Sequence, residues 1–407
     1  MIPLVLLALI ILAWVAFLPN VYLILRGYPF LERPAPRAST PPEKFIIQIT
    51  TVGRSPEVVD SILGAITAYS LPFPAETWVV TEEGDEHEYP ATRVLRTPKA
   101  YRTPKGTRYK ARALAYAREV RRELGLLTRT TRILFLDDDS LPSREYVVAA
   151  YWVGADMAHG SITIRRAPGG GIIPYVADHY RTADCVGTCP RYCSAGKVRV
   201  VHGEGMTVTG EVELVVGWDW GQGTVGNKAE DLLFGRRACL LGYSYAYIPE
   251  RIYIVSPFTI RELYYQRRRW LWNVLSSWAD LDPWQRVFTL GRLGGGFIGM
   301  IAAGLTLYVP LAHAFLPLWL TLSTASGTAA YFGFFAFGAW RNTRSRVEVL
   351  KALLLAWPAS ITEAAIMVLS FARPPHGFHV VRKALPTALT AARPASGGAA
   401  GGVSWQR

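Results

Sequence analysis

Apolar positions divide this chain into two hydrophobic ends and an alternating middle. Ile2 to Ile24 are almost uninterrupted apolar, long enough for a helix to cross a hydrocarbon core of ~30 Å. Residues 1–26 are therefore expected to be an anchor. No basic residue precedes the run and no small-residue cleavage site follows, so a signal peptide fits poorly. A Pro-rich linker follows, from Pro34 to Pro42. From 44 to 255 short β-like runs alternate with helical ones. Phe45-Ile46-Ile47-Gln48-Ile49, Trp78-Val79-Val80 and Arg132-Ile133-Leu134-Phe135-Leu136 read as strands, and Tyr109 to Leu124 as a basic amphipathic helix. Such alternation predicts an α/β fold, Rossmann-like, with a mixed, mostly parallel sheet and helices on both faces. Ligands on such sheets gather at the carboxyl ends of the strands.

Residues 256–290 have the periodicity of amphipathic interface helices, after which the chain is apolar again. Leu293 to Val309 and Pro317 to Trp340 are each long enough to cross, and predict a transmembrane hairpin over 291–341. Val349 to Ala372 carries Pro358 and Glu363 mid-run, which favours an interfacial or broken membrane helix over 346–372. The Gly/Ala-rich end, 385–407, predicts disorder.

Charge orients this arrangement. Arg26, Arg33, Arg37 and Lys44 follow the first run, and Arg341, Arg344 and Arg346 follow the hairpin. Basic residues favour the cytoplasmic side, so the expected protein is a multi-pass protein of the cell membrane, its N-terminus outside and its catalytic domain cytoplasmic. The net charge of +13 suits an anionic leaflet or phosphorylated substrates. No Lys/Arg run interleaved with aromatics lies outside the membrane flanks, so no nucleic-acid partner is expected. Asn and Gln number nine together in 407 residues, a depletion associated with thermophiles.

Three constellations carry chemistry. Asp137-Asp138-Asp139 directly follow an apolar strand, and on an extended segment Asp137 and Asp139 project to one side. Adjacent carboxylates repel unless a cation sits among them, and Mg²⁺ or Mn²⁺ suits carboxylates plus phosphate oxygens. Taken alone, the triplet fits a solvated acidic turn equally well. Glu230-Asp231 open a helical pattern, where the macrodipole alone would favour acids; Asp231 could equally serve as a general base. On the helix Thr259 to Trp278, Gln266, Arg269 and Trp270 share a face (i, i+3, i+4), while Arg267 and Arg268 are expected to face elsewhere. An arginine fork suits diphosphate and an indole suits a sugar ring, although an interfacial helix would use the same residue types.

Cys185, Cys189 and Cys193 form C-x3-C-x3-C, with His179 upstream. Zinc sites use tighter pairs and a fourth ligand, so apolar packing is the first expectation and a disulfide the second.

In this order, strand-D-x-D, E-D, Q-x-x-R-W and apolar helices, the chain resembles processive and lipid-directed members of glycosyltransferase family 2, among them the cellulose, chitin and hyaluronan synthases. It is most similar to the egghead-type β-1,4-mannosyltransferases. The resemblance also rests on Ile49-Thr50-Thr51-Val52-Gly53-Arg54, Val79-Val80-Thr81-Glu82, Thr103 to Leu114, Val216-Gly217-Trp218-Asp219, Ser256-Pro257-Phe258-Thr259 and Phe378 to Lys383. It implies an inverting transfer of mannose from GDP-mannose, in β linkage, to a lipid-linked glycan at the cytoplasmic membrane face. Thr51 and Val52 would line the base pocket, with Glu82 near the base, Lys110 at the diphosphate, and Asp137 and Asp138 at the nucleotide. Asp139 with Asp137 would hold Mg²⁺ or Mn²⁺, and Asp231 would be the catalytic base. Gln266, Arg269 and Trp270 would hold diphosphate and the acceptor end, with Gly205 and Glu230 bordering the acceptor. Residues 373–384 resemble a gating loop that closes through Phe378 and Lys383; Val381 stands where that loop has Thr. A processive polysaccharide synthase and an inactive scaffold of the same fold are the competing expectations.

Overall fold

The computed structural model describes residues 22, 25–31, 33–194, 201–223, 228–287, 289–291, 318–375, 382 and 384. The expectations for the N-terminal anchor, the first leg of the hairpin, Phe378, Lys383 and the tail lie outside the described residues, apart from the few just named.

The first strand in the chain is one of those read from sequence. In β1 (Lys44–Thr50) every residue from Phe45 onward is buried, which a run without polar alternation permits only between two covered faces. It pairs in parallel with β2 (Glu76–Glu82) on one side and β4 (Thr131–Asp137) on the other, and β3 (Arg93–Thr97) extends the sheet beyond β2. The remaining strands are β5 (Leu141–Pro142), β6 (Met157–Arg165), β7 (Thr207–Thr209) and β8 (Tyr245–Val255). The order is β3-β2-β1-β4-β7-β6-β8-β5, with β7 antiparallel to both neighbours and β5 antiparallel to β8. The expected mixed, mostly parallel sheet is present.

Helices cover both faces. α1 (Pro56–Ala68) starts with proline at a first-turn position and buries Val58, Val59, Ile62, Leu63 and Ile66, joining the apolar cluster around Ile47, Ile49 and Leu134. α2 (Tyr109–Glu123) buries small residues, Ala111, Ala113, Ala115 and Ala117 around Leu114, against the opposite face with Trp78 and Phe135. Then come α3 (Arg144–Trp152), α4 (Ile172–Ser194), α5 (Gly210–Val216) and α6 (Glu230–Leu240). A buried ion pair joins three of these layers. Arg121 of α2 donates to both carboxylate oxygens of Glu213 on α5 and to Gln48 of β1, and Glu213 also accepts from the Trp218 indole at 2.8 Å. Every charge there has partners, which makes its burial tolerable.

α7 (Ile260–Ser276) opens with a reciprocal cap: Thr259 accepts from the Glu262 amide, and the Glu262 carboxylate accepts from the Phe258 amide at 2.9 Å. This arrangement satisfies two orphan donors at the helix start. α8 (Leu318–Thr343) and α9 (Arg346–Ala372) pack on α4 through Val176, Ala177 and Ala183, with Tyr331, Phe334, Phe335, Ala352, Ala356, Ala359 and Ile366. The run expected to be interfacial or broken is one unbroken helix with Pro358 inside it. Among the described helices, α9 alone is long and apolar enough to cross a membrane, and 28% of its most apolar window is buried. α8, the expected second leg of the hairpin, is long but less apolar.

Candidate active site

The parallel strands end at one edge, and the site is assembled there. Thr51 and Val52 follow β1, Glu82 closes β2, and Asp137 closes β4 with Asp138 and Asp139 beyond it. Lys110 sits in the first turn of α2, and Glu230 and Asp231 in the first turn of α6. α7 lays Gln266, Arg269 and Trp270 across the opening. All of these line one cavity of about 610 Å³. Tyr331 and Phe335 of α8 and Glu363 and Met367 of α9 also line it.

Lys110 is the electrostatic centre. Its ammonium lies 2.6 Å from Asp137, 3.7 Å from Asp231 and 3.9 Å from Glu230. Burial works against its charge, but the three carboxylates outweigh burial and raise its pKa. Asp231 feels the opposite balance. Burial lifts its pKa, Lys110 opposes this, and Glu230, Asp137 and Glu204 add to the lift, carrying it to about 8. A carboxyl poised near neutrality is what proton abstraction from an alcohol requires. Asp138 accepts from the Thr51 hydroxyl at 2.9 Å, which fixes the triplet to the end of β1. Glu82 is engaged by Arg112 of α2.

The loop before α2 is held by Asp219. Its carboxylate accepts from the Thr103 and Thr107 hydroxyls at 2.7 and 2.6 Å and from the Lys105 amide at 2.8 Å. Two stretches distant in sequence, 103–114 and 216–219, are thus tied together.

Two glycines behave differently. A Cβ on Gly203 would lie 2.2 Å from the Asp231 carboxylate, so the His202–Glu204 loop approaches the acid as only glycine allows. Gly205, expected at the acceptor, is not among the cavity-lining residues. It has φ 75° and packs against Ile252 and Tyr146, and so shapes a turn beneath the site.

Arg267 is a correction. Expected to face away, it lines the cavity and joins Asp178 of α4 at 2.7 Å to Glu363 of α9 at 2.9 Å. Its guanidinium also donates to Gln266 at 2.7 Å. The Trp270 ring lies beneath Arg267 and Arg181, 4.6 and 4.5 Å from its centroid, and Arg181 pairs with Glu204 at 3.0 Å. Arg268 does turn away, onto Tyr264 and Tyr265. Sequence reasoning also missed Arg181 and Asp178. Arg181 and Asp178 lie in a helix whose role no local motif marks.

Comparisons with known proteins identify the family and the fold. A family model described as "Glycosyl transferase family group 2" matches residues 132–362, more than half of the chain. The chain is 29% identical over 190 residues to beta-1,4-mannosyltransferase bre-3 of Caenorhabditis briggsae, covering 46% of this chain and 41% of that protein. It is 28% identical over 187 residues to beta-1,4-mannosyltransferase egh of Drosophila melanogaster, covering 45% and 40%. It thus spans about two fifths of the length of the curated relatives it matches. Among solved structures, the mannosyltransferase PcManGT of Pyrobaculum calidifontis, in complex with GDP-Man and Mn²⁺, superposes with a TM-score of 0.51 at 17% identity, over 86% of this chain and 99% of that one. That likeness is one of fold.

Proposed function

The chain belongs to glycosyl transferase family group 2 and is a glycosyltransferase, and from that premise we propose that it transfers mannose from GDP-mannose, with inversion, to a lipid-linked glycan at the cytoplasmic membrane face. One observation carries this reading: the acid triplet, the acid pair and the Gln266–Trp270 face, far apart in sequence, line the same cavity around Lys110.

In the proposed reaction Asp231 accepts the proton of the acceptor hydroxyl as that oxygen bonds to the anomeric carbon. The bond to the nucleotide diphosphate breaks on the opposite side, so an α-linked donor gives a β-glycoside. Lys110 and Arg269 balance the charge on the departing diphosphate. Thr51, Val52 and Glu82 flank the nucleoside at the ends of β1 and β2. Trp270, clamped by Arg181 and Arg267, presents a fixed edge to the sugar, with Glu230 alongside.

A divalent cation fits this site. The donors available are carboxylate oxygens, Asp139 with Asp137, which match Mg²⁺ or Mn²⁺ rather than a softer ion. When bound, such an ion neutralises charge on the leaving phosphate oxygens. The lipid-linked acceptor is supported by Tyr331 and Phe335 of α8 and Met367 of α9, apolar side chains that line the same cavity as the acids.

The test is to incubate membranes carrying the full chain with labelled GDP-mannose and a lipid-pyrophosphate glycan. A single β-mannose added to the lipid is expected. Transfer from UDP-sugars alone, or long polymeric products, would overturn the donor or acceptor assignment.

A further inference from the structure

The cysteines that the transfer reaction leaves unused are free thiols packed in the apolar cluster of Trp78 and Phe135, as expected, and two of them also meet polar partners. α4 is wound so that Cys185 and Cys189, one turn apart, bring their sulfurs within 3.7 Å. Two histidines from elsewhere in the chain meet them there. His202, from a loop that lines the cavity, brings Nε2 to 3.2 Å from the Cys189 sulfur. His159, from the middle of β6, is wholly buried and stands edge-on to His202, with ring centroids 5.3 Å apart. One donor atom each from His159, Cys189 and His202 fall within 4.8 Å of one another. His179, the upstream histidine expected to accompany the cysteines, instead bonds to Asn342 of α8 at 3.0 Å.

We propose that His159, Cys189 and His202 form a site for a borderline-soft divalent cation such as Zn²⁺, to which Cys185, outside that set but 3.7 Å from the Cys189 sulfur, adds a fourth ligand as the ion binds. Zinc bonds of about 2.3 Å to sulfur and 2.0–2.1 Å to nitrogen place tetrahedral ligands roughly 3.8 Å (S···S) and 3.6 Å (S···N) apart. Two separations, 3.7 and 3.2 Å, are close to those edges, and His159 closes in from within 4.8 Å of the Cys189 and His202 donors. The Tyr245 hydroxyl, 2.6 Å from His159 Nδ1, is the kind of outer partner that fixes a ligating ring and leaves Nε2 to face the ion. Soft thiolate and imidazole donors separate this site chemically from the all-carboxylate pair at Asp137 and Asp139.

The site joins α4, β6 and the loop that carries Gly203 against Asp231. A cation there would hold that loop, and with it the catalytic wall, in place. Cys193, 3.9 Å from His159, stands beside the set as an outer thiol.

The full chain, purified in detergent in the presence of Mg²⁺, is analysed for metal content. One zinc per chain is expected, retained against excess Mn²⁺. Cys189→Ser and His202→Ala should each fall below a tenth of an equivalent, while Cys239→Ser keeps the full equivalent. Cobalt loaded into the parent should give thiolate-to-cobalt charge-transfer absorption, a readout that needs no variant to fold. No zinc and no cobalt band in the parent, zinc retained by Cys189→Ser, or two titratable thiols in place of four because Cys185 and Cys189 are oxidised, would each overturn the site.

Discussion

Asp231 combines two demands that conflict. Its raised pKa, about 8, makes it a competent base and also makes it costly. A carboxyl whose folded-state pKa exceeds its unfolded value holds its proton more tightly in the fold. Folding is therefore favoured most below the unfolded value, and the advantage is lost as pH rises through about 8. Asp231→Asn should abolish turnover by roughly 10²–10⁴-fold and, in the ligand-free protein, melt at a higher temperature than the parent above pH 8. Loss of turnover without that gain would mean the carboxylate is not strained by its neighbours. The same residue predicts that kcat/KM rises with pH along an acid limb below 8, and that Asp231→Asn has no such limb. Gly203→Ala tests the geometry. Its new Cβ would displace the carboxylate, and a misplacement of about 1 Å costs on the order of 10²-fold in rate. Circular dichroism should be unchanged, and full activity would show that the loop has room to spare.

At the scale of elements, the two acidic motifs were legible because each sits where a strand ends or a helix begins. An apolar run followed abruptly by Asp137, or an acid pair followed by Leu232, Leu233 and Phe234, is a boundary that hydropathy alone reveals. β6 was illegible for the opposite reason. Met157–Arg165 holds Gly160, His159 and two hydroxyl residues at fully buried positions, so neither alternation nor an apolar run marks it. Arg267 was misjudged because a helical wheel assigns one buried face, whereas α7 lies between α4 and α9 and has two. This gives a direct prediction. Arg267→Met would leave Asp178 and Glu363 facing each other without a counter-charge, and breaking a buried pair costs about 3–5 kcal/mol. Thermal unfolding should show that loss, with Asp178→Asn in the same background recovering part of it. A variant as stable as the parent would mean the three helices do not depend on this contact.

For the molecule as a whole, the question is what the last two helices face. α9 buries Ala352, Ala356 and Ala359 against α4 and α8, small residues that allow helices to approach closely. On its other side Val347, Leu354, Ile361 and Val368 recur every seventh residue and remain exposed, at 61%, 70%, 41% and 51%. Leu318, Trp319 and Leu322 of α8, and Trp284, Val287 and Leu290 after α7, add to the exposed apolar surface. A row of large apolar side chains left exposed along one helix marks a surface that something covers. A bilayer would cover it and would bring a lipid-borne acceptor to the Tyr331–Met367 side of the cavity. The full chain should therefore stay with membranes through an alkaline carbonate wash and leave them only with detergent. Replacing Val347, Leu354, Ile361 and Val368 together by Ser should shift it toward the carbonate-soluble fraction while leaving Ala352, Ala356 and Ala359 packed. If the parent itself is released by carbonate, the apolar face meets some other cover, and the acceptor must reach Asp231 by a route that does not begin in lipid.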